Sequence, residues 1–150
     1  MKRVGALCRQ MIALWRAAAV ALAIVLSASA SAHAQSDESS AAAQQVIASQ
    51  LEAFSRDDWS EAFTFASPNI KRIFGTPERF GQMVRNGYPM VWRPSRTEFV
   101  EVLGEAPRII QRVLLTDGDG RIWIAQYAML QLQDGSWKID GVQIEEQAGA

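Results

Sequence analysis

Asp140 stands beside Gly141, between the apolar residues Ile139 and Val142 of the strand-like run Trp137–Ile144. A carboxyl group set among apolar residues loses hydration, its pKa rises, and it becomes a candidate general base. A second group gathers around Pro89 and Pro94: Tyr88 and Trp92, with Arg85 and Arg93 close in sequence. Guanidinium groups offer planar donor pairs to a carboxylate or phosphate, and the two rings would form the rim of a pocket. The same stretch also suits a stiff crossover, its aromatics plugging a seam and its arginines paired with acidic neighbours such as Glu98. A third group, Asp117-Gly118-Asp119-Gly120, has the oxygen ligands that open a calcium loop. However, the twelfth position from Asp117 is Ala128, where an EF-hand needs a bidentate Glu, so a hairpin turn is expected there instead. Asp57-Asp58 and Glu145-Glu146 read most simply as helix capping and a solvated tail.

Cysteine or histidine chemistry would depend on Cys8 and His33, the single residues of each type in the chain. Both lie in a segment with the three regions of a secretory signal peptide. Lys2, Arg3, Arg9 and Arg16 carry positive charge, no acidic residue precedes Asp37, and residues 17–26 form an apolar run. Ala32-His33-Ala34 fits the small-residue cleavage pattern, so cleavage is expected between Ala34 and Gln35, giving a periplasmic or secreted protein. The apolar run is about half the roughly 20 residues needed to span a bilayer, so no stable membrane anchor is expected after cleavage.

The remaining domain, residues 35–150, would contain no disulfide, cysteine nucleophile, Cys/His zinc site or Ser-His-Asp triad. It carries 11 basic against 16 acidic residues, a net of about −5, which argues against nucleic-acid binding. No Gly-rich phosphate loop or dinucleotide fingerprint is present, and neither a metal nor a cofactor is expected.

The elements that must position these residues divide the domain in half. Val46, Ile47, Leu51 and Phe54 share one helical face, and that helix should end near Arg56. Asp57 or Asp58 then caps a helix carrying Trp59, Ala62, Phe63 and Ala66 inward. Ser67-Pro68 and Thr76-Pro77 each pair a cap residue with a first-turn proline, opening two further helices. Tyr88–Pro94 is expected to be extended, because its prolines oppose regular helix and central strand. Four runs follow with strand character: 97–103, 109–116, 122–132 and 137–144. Asp117–Gly120 and Asp134-Gly135 supply turns between them. This pattern predicts an α+β fold, about four short helices followed by a four-stranded antiparallel meander.

Two strands carry further information. The third is apolar on both alternations, with Ile122, Ile124, Ala128 and Leu130 on one face and Trp123, Ala125, Tyr127 and Met129 on the other. A half-covered sheet normally shows polar residues on its open face, so a second cover is expected, such as another subunit. In the fourth, Trp137 and Ile139 differ in parity from Val142 and Ile144, which predicts a β-bulge near Asp140-Gly141.

Helices followed by a bent meander ending in Asp134-Gly-Ser-Trp-Lys-Ile139 resemble the nuclear transport factor 2-like (cystatin-like cone) superfamily. More narrowly, the run from Phe80 to Pro94, supported by 63–68, 111–117 and 134–141, is similar to a bacterial exported family known only as a domain of unknown function. The resemblance implies a cone whose helices close over the concave sheet face, often around a pocket, and frequent homodimers formed through the sheet. Some members of the superfamily that act as isomerases or dehydratases use an Asp base with a Tyr donor. Asp140 with Tyr127 or Tyr88 would be the corresponding pair.

Two functions are therefore expected of the domain. One is a non-catalytic module binding a small molecule or peptide near Arg85, Tyr88, Trp92 and Arg93. The other is a cofactor-free isomerase, dehydratase or hydrolase built on Asp140 and a tyrosine.

Overall fold

The computed structural model describes residues 37–147. The chain divides into two units, Met1–Glu38 and Ser39–Ala150, and the fold below is that of the second. The signal-peptide reading, with its cleavage point and with Cys8 and His33, lies outside the described residues.

Among the described residues, five helices precede the sheet: α1 (37–55), α2 (Trp59–Thr64), α3 (Pro68–Phe74), α4 (Pro77–Gly87) and α5 (Pro89–Trp92). Each cap follows from local chemistry. Asp58, Ser67 and Thr76 accept hydrogen bonds from the backbone N–H groups of Glu61, Ile70 and Arg79, so donors otherwise unpaired in the first turns are satisfied. Gly75, at φ 75°, closes α3 in a conformation that favours glycine.

The fifth helix corrects the expectation of an extended connector between Tyr88 and Pro94. Pro89 occupies the first helical turn, where its missing N–H costs no intrahelical bond and its fixed φ suits the helix. The Val91 and Trp92 amides both donate to the Tyr88 carbonyl, at 2.9 and 3.0 Å. The proline that opposes a helix interior thus starts a helix here.

Strands β1 (Arg96–Glu105), β2 (Arg108–Thr116), β3 (Ile122–Gln131) and β4 (Trp137–Glu146) form one antiparallel sheet in the order β1-β2-β3-β4. The expected bulge is present. Met129 faces Ile139 and Ala128 faces Gly141, leaving Asp140 as the extra residue. A second irregularity, between Phe99 and Val102 of β1, was not anticipated.

Ala125, Tyr127 and Met129 of β3 point into the core, as do Val113 and Leu115 of β2 and Ile139 of β4. Helix α1 lays Ala43, Ile47, Leu51 and Phe54 against this layer. A chain of rings adds to it: Phe80 lies 5.9 Å from Phe54, 5.3 Å from Phe63 and 5.7 Å from Phe74, centroid to centroid. The segment before α3 runs along β4, where Ser67 N–H donates to Ile139 O at 2.8 Å and Ile139 N–H to Phe65 O at 2.9 Å. No helix among the described residues is long and apolar enough to cross a membrane.

Candidate functional site

The helical layer does not fill the space above β4. A cavity of about 320 Å³ remains between α1, α3, α4 and α5 on one side and β4 on the other. Phe54, Ile70, Phe74, Phe80 and Met83 supply apolar walls from three helices, and Ile139 and Val142 supply them from the strand. Gly141 contributes wall without a side chain. The bulge helps make this surface, because it lets Ile139 and Val142 both face inward although their parities differ.

Among the described residues of the wall, two side chains carry hydrogen-bonding groups. Tyr88, between α4 and α5, is half-buried. Gln50 of α1 is 2% exposed, and its amide nitrogen donates to the Ala62 carbonyl at 3.1 Å. Among the described residues, no charged side chain borders the cavity.

Tyr88 is thus the one sequence-predicted site residue that the fold places on the cavity. Arg85, Trp92 and Arg93 meet instead around Asp57. The Trp92 indole N–H donates to Asp57 Oδ1 at 2.8 Å, Arg93 donates to Oδ2 at 3.0 Å, and Arg85 lies 3.6 Å from Oδ2. Arg93 also sits 4.5 Å above the Trp92 ring, while Arg85 lies 4.9 Å from Trp59 and 5.3 Å from Trp92. The indole hydrogen bond, with the two arginine charges behind it, holds the Asp57 carboxyl below the usual carboxylate range. Acidic pairing of these arginines thus involves Asp57, whereas Glu98 pairs with Arg96 at 2.6 Å.

Asp140 and the tyrosines do not converge on a shared void. Ile139 and Gly141 border the cavity, but Asp140 between them does not. Its Oδ1 accepts a 2.5 Å hydrogen bond from Ser67 Oγ, and its Oδ2 lies 3.6 Å from Arg108. Tyr127 is fully buried and off the cavity wall, with no partner for its hydroxyl among the described residues, and burial pushes its pKa upward. A base and a donor must both reach one reacting molecule, and of these residues only Tyr88 lines the cavity above β4.

The Asp117–Gly120 segment is a turn held by its first residue. Asp117 Oδ1 accepts the backbone N–H groups of Asp119 and Arg121, each at 2.9 Å, and Oδ2 accepts the Trp123 indole N–H at 2.9 Å. Its carboxylate is consumed by the hairpin.

Residues 36–150 match the sequence family described as domain of unknown function DUF4864. The chain belongs to this family. No protein with a curated description matches the DUF4864 chain. Among solved structures it is similar to an NTF-2 like protein of unknown function from Burkholderia xenovorans. The two share 13% identity with a TM-score of 0.47, over 74% of this chain and 88% of the other.

Two residues of the DUF4864 domain gain importance only in three dimensions. Gln50 falls on the inward stripe of α1, three residues after Ile47 and four before Phe54, and a polar residue in an apolar stripe was a legible signal. Asp57 gave a weaker one. Its neighbour Asp58 takes the capping role, while Asp57 adopts φ 58°, a conformation Asp tolerates better than most residues.

Proposed function

We propose that this DUF4864 domain is a non-catalytic binding module that holds a small, mainly apolar molecule in the cavity above β4. The cavity carries the reading: at about 320 Å³ with mostly apolar walls and two polar side chains, it has the character of a small-ligand site. The test is titration with an environment-sensitive apolar dye, comparing the natural protein with Val84→Trp, which fills the void from α4. Saturable binding that disappears in a folded Val84→Trp protein supports the reading. Undiminished binding in that variant rejects it.

Two features of the proposal extend beyond the cavity. The basic, apolar and small-residue order of positions 1–34 supports export to the periplasm with cleavage before Gln35. N-terminal sequencing of periplasmic protein should begin at Gln35. The sheet face opposite the helices supports self-association into a homodimer. On it Leu103 pairs across to Ile110 and Ile110 to Ala128, and Leu103, Ile110 and Ile122 are 46%, 38% and 43% exposed. Sedimentation velocity should show a dimer that Ile110→Glu converts to monomer.

A further inference from the structure

The bonding of Gln50 narrows the chemistry of the molecule this cavity would take, an inference that rests on the cavity being a ligand site. Ala62 presents a backbone carbonyl, which can only accept, so the amide nitrogen of Gln50 must face it. That orientation fixes where the side-chain carbonyl stands, and Gln50 Oε1 receives no hydrogen bond from the described residues. Nor is this oxygen sealed into the core. Among the described residues, the buried side-chain atoms with neither a partner nor open space beside them are Arg112 Nε and Tyr127 OH. Gln50 is almost wholly buried, and the open space it borders is the cavity.

A buried acceptor without a donor is costly, and a ligand that supplies one recovers that cost on binding. The surroundings restrict the donor further. With no Asp, Glu, Lys or Arg among the described residues of the wall, an ionised group would be desolvated without a counter-charge. We propose that the cavity selects a neutral hydroxyl- or amide-bearing apolar molecule whose donor meets Gln50 Oε1, in preference to the matching hydrocarbon or carboxylate. A hydroxyl suits best, since its oxygen can also accept from the second N–H of the Gln50 amide. At roughly 30 Å³ per water molecule in the liquid, the cavity has room for on the order of ten waters, the space of a small one- or two-ring compound.

Naphthalene, 2-naphthol and 2-naphthoate form a matched series of that size. Calorimetric titration of the purified protein near pH 7 should show 2-naphthol binding about tenfold more tightly than naphthalene, the equivalent of one well-formed neutral hydrogen bond, with 2-naphthoate weakest. In Gln50→Leu and Gln50→Met the affinity for 2-naphthol should fall to that for naphthalene, while naphthalene still binds. Because Gln50 also anchors Ala62, the Gln50 side-chain amide resonance of the natural protein gives a readout independent of either variant's folding. It should shift with 2-naphthol and much less with naphthalene. Equal affinity for the hydrocarbon and the alcohol overturns the selectivity and leaves the cavity reading standing. A preference for the alcohol that persists in a folded Gln50 variant, or comes without a shift of that resonance, also overturns it and moves the donor's partner to Tyr88. If neither compound binds, the cavity reading falls as well.

Discussion

The indole N–H of Trp92 donates to the carboxylate of Asp57 across 35 positions of sequence, at 2.8 Å, and so ties α5 to the turn between α1 and α2. Arg93 and Arg85 approach the other carboxylate oxygen. A carboxyl held below its ordinary pKa contributes stability above its unfolded-state value, about 3.9, and loses that contribution as pH falls through the folded-state value. Asp57→Asn keeps a side chain tolerant of positive φ and an oxygen for Trp92, but removes the charge. Thermal melts should show Asp57→Asn a few degrees below the natural protein at pH 7, with the gap closing below about pH 4. A gap that persists into strong acid rules out the ionic explanation.

Gly81 lies beneath the ring of Trp59. A Cβ at this position would stand well inside contact distance of Trp59 Cδ2. Gly81→Ala is therefore expected to lower stability by about 1–3 kcal/mol in urea denaturation, despite the better helix propensity of alanine. Combining it with Trp59→Leu should recover part of that loss. Additive effects of the two substitutions would show that the ring is not the obstacle.

Tyr127 presents the opposite case, a buried hydroxyl that bonds to nothing among the described residues. Tyr127→Phe keeps the ring and deletes the orphaned group. Its unfolding free energy should be unchanged or higher by up to about 1 kcal/mol. A loss greater than that would mean the hydroxyl has a partner in solution, such as a buried water.

Ser67 performs two tasks with one oxygen, accepting from Ile70 N–H at 3.2 Å as the cap of α3 and donating to Asp140 at 2.5 Å. Ser67→Ala should cost about 1–3 kcal/mol, more than an ordinary lost cap, because a partly buried carboxylate loses a donor as well. Ser67→Thr, which retains the hydroxyl, should lie closer to the natural protein in the same denaturation experiment.

What could be read from the sequence depended on whether the signal was local. The caps at Ser67 and Thr76 were legible because a side chain and its backbone partner lie three residues apart. The bulge at Asp140 was legible because strand alternation has a period of two, and Trp137, Ile139, Val142 and Ile144 break it once. The irregularity of β1 left less trace: Val100 stands between the inward Phe99 and Val102 but is itself apolar and 57% exposed, so the pattern looks continuous. Pro89 misled because proline opposes a helix interior and favours a helix start, and which rule governs depends on the chain before it. The site was harder still. Tyr88, singled out by its aromatic surroundings, lies on the cavity wall, whereas the pairing of Asp57 with Trp92 and Arg93 spans more than thirty residues and has no periodicity to reveal it.

The contact between Ile139 and the segment 65–67 determines how this sheet can meet another chain. Outer strands offer unpaired backbone groups that can template further strands, the usual route to uncontrolled stacking. At β4 those groups of Ile139 are already engaged by Phe65 and Ser67. At β1 the register break after Phe99 and the charges of Arg96, Glu98, Glu101 and Glu105 make a poor template. Growth from either border is thereby obstructed, so the homodimer we propose would form through the broad surface around Ile110, where association stops at two.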